Sequence, residues 1–98
     1  MARDIRTLSA SEKMEMDQAE VFIETGLAMW NSYVDRGGIA SNREDVDFLL
    51  RTAGYFLMAY EMVIGLDVLD NSGRSVILRY LDDAANAYQY WRRKLGLD

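Results

Sequence analysis

The segment GYFLMAYEMVIGL, residues 54–66, carries one charged side chain, Glu61, and two glycines, Gly54 and Gly65. A run this apolar crosses a membrane, fills a core or meets another subunit, and helix geometry separates the three. Thirteen helical residues span about 20 Å, short of the roughly 30 Å of hydrocarbon in a bilayer. Widening the window to residues 46–69 gathers Asp47, Arg51, Glu61 and Asp67, each costly to insert. A membrane span is therefore not expected.

Rotating the segment at ~100° per residue places Asp47, Arg51, Gly54, Met58, Glu61 and Gly65 in one narrow strip. The rest of the circumference, from Val46 and Phe48 round to Leu57, Tyr60, Ile64 and Val68, is almost wholly apolar. A helix apolar around most of its girth needs cover on most sides. Two partner helices from one small chain give too little, so the sequence predicts a homo-oligomer with this helix central. Gly54 and Gly65, about three turns apart, open the strip to a close backbone or a flat ligand.

Flanking signals set the other elements. Ser9 and Glu12 form an S-x-x-E capping box, and Met16, Ala19, Ile23, Leu27, Trp30 and Val34 recur as one apolar stripe. Asp17, Glu20, Glu24, Asn31 and Asp35 line a neighbouring face, and Gly37-Gly38 ends the helix. Asn42 reads as the next N-cap, with Glu44, Asp45 and Asp47 near the positive end of the dipole. Asn71-Ser72-Gly73 reads as a break. A third helix then carries Ile77, Leu81, Ala84, Tyr88, Trp91 and Leu95, with Arg92, Arg93 and Lys94 in its last turn. The expected architecture is a single all-α domain of three helices, about residues 9–34, 43–69 and 74–95. It forms a helical bundle through homo-oligomerisation.

Composition agrees. The 98 residues are half hydrophobic, without proline or cysteine, which suits a small helical domain and excludes disulfides and thiolate chemistry. No apolar signal core is present in MARDIRTLSASEK, so the expected location is cytoplasmic. The net charge of −5 lies wholly in residues 1–49 and disfavours DNA binding. Nine of the eleven basic residues are arginine, suited to carboxylate, phosphate or interhelical ion pairs.

Without histidine or cysteine, the common zinc sites and nucleophile–base triads are excluded. Glu20-x-x-x-Glu24 with Glu44-x-x-Asp47 resembles the paired acidic motifs of Mg-dependent all-α nucleotide pyrophosphohydrolases, although the doubled glutamate that opens the first motif is missing. Tyr88 and Trp91 fall on a core stripe and Tyr90 lies off it. No cofactor is expected.

The opening RTLSASE, residues 6–12, followed by a long acidic helix and then RTAGYFLMAYEMVI, residues 51–64, resembles the phage anti-CBASS cyclic-nucleotide sponges. DNSGRSVILRYLDDA, residues 70–84, also resembles a helical hairpin of related sponges. The resemblance implies helical homo-oligomers that sequester cyclic di- and trinucleotides between subunits without turnover. It makes Arg6, Arg51 and Thr52 candidates for phosphate or base contacts. Ile5 stands where that family places a stacking tyrosine, and Glu20 where it places a phosphate-facing lysine. The other reading is an oligomeric adaptor or inhibitor that meets a host protein partner through the acidic face of the first helix.

Overall fold

The computed structural model describes residues 3–97, without the Ile5 side chain. A short 3₁₀ turn, Ile5–Thr7, leads into α1 (Ala10–Asp35), α2 (Arg43–Leu66) and α3 (Asn71–Lys94). Among the described residues there are no strands.

Each helix starts where a short polar side chain replaces a missing intrahelical partner. Ser9 accepts from the Glu12 N–H while Glu12 accepts from the Ser9 N–H, which completes the capping box. Asn42 accepts from the Asp45 N–H. The third cap corrects the expected boundary: Asp70 accepts from the Gly73 N–H at 2.8 Å. Asn71-Ser72-Gly73 is thus the first turn of α3 and not a break. The end of α2 is earlier than expected, at Leu66, because Asp67 turns left-handed with φ 53°. Gly65 lies inside the helix.

α2 is central and packs along both neighbours. At one end Leu8, Met16 and Ala19 join Val63, Leu66 and Ile77. At the other, Tyr33, Ala40, Val46 and Leu49 are backed by Trp30, Tyr88, Trp91 and Leu97. The start of α1 therefore lies beside the end of α2 and the start of α3, an up–down–up arrangement.

At mid-height α1 leaves room for a ring of α2. A methyl group on Gly26 of α1 would sit 2.9 Å from Cε1 of Phe56, whose buried ring stacks on Tyr80 of α3 at 5.5 Å between centroids. Fully buried Ala19, Ala59 and Ala84 contribute the same economy of volume on all three helices. The buried line on α1 is therefore Met16, Ala19, Gly26 and Tyr33, one position round from the expected stripe at its end. Val34 is 51% exposed. Tyr33 takes its place because its hydroxyl donates to the Gly38 carbonyl at 2.6 Å and accepts from Trp91 Nε1 at 2.8 Å.

By length and composition α2 alone among the described residues reaches the range of a membrane-spanning helix, a test that core helices of soluble proteins also pass. Here it is flanked by α1 and α3, with Asp47, Arg51 and Glu61 on its exposed side.

Gly26→Ala should lower stability by about 1–2 kcal/mol in urea denaturation, because overpacking at Phe56 outweighs the gain in helix propensity. The same change at Gly54, where an added methyl meets nothing within 4 Å, should raise stability by up to about 1 kcal/mol.

Candidate functional site

Arg6 lies in the 3₁₀ turn, its side chain 87% exposed and forked onto Asp4, with Nη2 2.8 Å from Oδ2. That fork holds the Asp4 carboxyl below its ordinary range. The turn itself is tied down on both sides. The Arg3 guanidinium grips both oxygens of Glu12, and the Arg3 N–H donates to the Asp67 carbonyl. Asp67 in turn pairs with Arg74.

Arg51 is exposed on α2 and, among the described residues, has no ion pair within the chain. It borders an open groove of about 320 Å³ lined by Ser32, Arg36, Glu44, Asp45 and Phe48. Arg36 stacks over the Phe48 ring at 5.5 Å and pairs with Asp45 at 3.1 Å. The Asp45 carboxyl is held low first by the Ser41 backbone N–H and then by Arg36. Two guanidiniums and one aromatic ring thus share a groove with two carboxylates.

Thr52 is elsewhere. One residue on from Arg51 the helix has turned about 100°, and the Thr52 side chain is fully buried, its hydroxyl donating to the Phe48 carbonyl at 2.8 Å. This chain offers no surface at which Thr52 touches an outside ligand. Nor do Arg6 and Arg51 converge. Arg6 sits by the Leu66 end of α2, where Arg3 and Leu8 are anchored, about 22 Å along the axis from Arg51 at ~1.5 Å per residue. A ligand shorter than that span does not touch both on one chain.

The carboxylates of the hydrolase-like pattern remain apart. Among the described residues no three acids gather into a metal-binding group. Asp17, Glu20 and Glu24 are exposed along α1 and unpaired within the chain among those residues. Tyr88 and Trp91 are half-buried in the core, while Tyr90 is exposed, as their places on the helix require. Tyr90 carries Lys94 over its ring at 5.6 Å beside a second open groove lined by Asn86, Gln89 and Arg93.

Sequence reasoning missed Arg36 as Arg51's neighbour. It lies beyond α1 in the connection to α2, and only the antiparallel turn brings the two residues to one groove. The architecture defines a small all-α protein with open surface grooves. No family model, curated protein or solved structure matches the chain.

Arg3, followed by the Ser9 N–H, pulls the Glu12 carboxyl down to about 2 from an ordinary 4.5. A depressed carboxyl stabilises the fold fully above its unfolded value, and that contribution disappears as pH falls through the folded one. Glu12→Gln should therefore be less stable than wild type at neutral pH. The gap in urea midpoints should close between pH 4.5 and about 2.

Proposed function

We propose that this chain is a non-catalytic, oligomeric binding protein that sequesters a cyclic-nucleotide signal at a subunit boundary, in the manner of a phage sponge that silences host defence. The observation that carries this reading is Arg51. Of the three residues the resemblance nominates, it lies exposed and, among the described residues, without an ion pair, in a groove that also holds Arg36 and the Phe48 ring. The Arg51 guanidinium suits phosphate oxygens, while Arg36 covers a face of Phe48 and pairs with Asp45. The Glu44 and Asp45 carboxylates in the groove favour a ligand that presents few phosphates there.

A second reading rests on a different face. The exposed carboxylates of Asp17, Glu20 and Glu24 follow one another at helical spacing, a ridge suited to a basic protein surface.

A thermal-shift series with cyclic dinucleotides, cyclic trinucleotides and cyclic ADP-ribose variants separates the two. One compound should stabilise the protein by about 2.7 kcal/mol at one hundred-fold excess over Kd, and Arg51→Ala should remove that shift while the helical circular dichroism remains. A folded protein that responds to none of them defeats the nucleotide reading. If instead lysines at positions 17, 20 and 24 abolish capture of a basic host protein, α1 is the working surface.

A further inference from the structure

The exposed side of α2 has a regularity that neither reading uses. Asp47, Arg51, Gly54, Met58, Glu61 and Gly65 are spaced four, three, four, three and four residues apart. This is the a/d pattern of a coiled-coil seam, and the spacing is the same read in either direction. All six positions lie on the uncovered side of α2. Gly54 is partly open, the other five are exposed, and neither Gly54 nor Gly65 has any atom within 4 Å of where a methyl would stand. Beside the strip, at seven-residue intervals, run Leu50, Leu57 and Ile64, exposed by 49%, 43% and 41%, with Met58 at 41%. An apolar row of this length left in water marks a contact surface.

We infer that this face is the contact between two copies of the chain, with their α2 helices antiparallel about a two-fold axis at the level of Phe56. That axis pairs Arg51 with the partner's Glu61, Gly54 with the partner's Met58, and Asp47 with the partner's Gly65. In an antiparallel coiled coil a positions meet d positions, and all three pairs obey that rule. Each pair occurs twice by symmetry.

Charge and shape choose the same register. Arg51 and Glu61 are unpaired within the chain among the described residues, and the two-fold supplies each with its counter-charge. The Met58 side chain enters the gap left by the partner's Gly54, so the helix axes approach closely enough for Leu50, Leu57 and Ile64 to leave water. A parallel pair sets Arg51 against the partner's Arg51 and Glu61 against the partner's Glu61. The pattern opposes that arrangement.

This inference does not depend on the nucleotide reading. Sedimentation without nucleotide reads the seam, and the thermal shift with nucleotide reads the groove.

The experiment is sedimentation equilibrium from low micromolar to submillimolar concentration, on wild type, Arg51→Glu, Glu61→Arg and the double charge swap. Wild type should dimerise. Each single reversal should weaken the dimer by about tenfold or more, and the double swap should restore it to within about threefold of wild type. Gly54→Leu should keep its helical content, since its own chain leaves the space open, yet fail to dimerise. A wild type that stays monomeric throughout overturns the inference, as does a Gly54→Leu variant that associates normally. Single reversals that weaken association without recovery in the double swap overturn the antiparallel register.

Discussion

The contact between Gly26 and Phe56 sets the spacing of the whole molecule. The ring is buried, touches α1 where no side chain stands, and stacks on Tyr80 of α3. One aromatic side chain therefore couples both helix–helix contacts. Its position also fixes which side of α2 is covered. With Phe56 turned inwards, Thr52, Ala59 and Val63 follow it into the core, and Leu50, Leu57 and Ile64 are carried to the surface.

That division gives the molecule two unlike sides. The covered side combines small buried residues, Ala19, Gly26, Ala59 and Ala84, with large side chains at each end, Met16 and Ile77 at one and Tyr33 and Trp91 at the other. The uncovered side combines an apolar row with the charges of Asp47, Arg51 and Glu61. Among the described residues the ion pairs lie at the connections: Arg3–Glu12, Arg6–Asp4 and Arg74–Asp67 at one end, Arg36–Asp45 at the other. Surface pairs of this kind contribute little stability each. Their effect is to fix how the chain enters and leaves its helices.

The groove beside Arg51 follows from the same geometry. It forms because the α1–α2 connection returns the chain antiparallel, bringing Arg36 beside the first turns of α2. Recognition of an anion there has to contend with Glu44 and Asp45, whose positions near the start of α2 are explained by the helix dipole. Arg51 stands at the margin between this groove and the exposed strip, the one candidate residue that both surfaces share.

Much of the fold was legible in the sequence. The three helices, the Ser9 and Asn42 caps and the inward places of Tyr88 and Trp91 follow from local chemistry and periodicity, which act within a few residues. Where the sequence offered two competing signals, reading it failed. Asn71-Ser72-Gly73 carries turn-forming residues, yet Asp70 in front of them is a cap, and the cap prevails because it satisfies a helical N–H. Asp67 ends α2 without a glycine to announce it, held by its bond to Arg3 and its pair with Arg74.

The candidate site was less legible, for a different reason. Arg51 and Thr52 are adjacent in sequence and on different sides of the helix, while Arg51 and Arg36 are fifteen positions apart and share a groove. The sequence by itself determined the helices, the apolar girth of α2 and the strip of Asp47, Arg51, Gly54, Met58, Glu61 and Gly65, because those depend on spacing along one axis. Only the tertiary structure decided which part of that girth is covered and which lies open. That depends on where a ring on one helix meets a missing side chain on another.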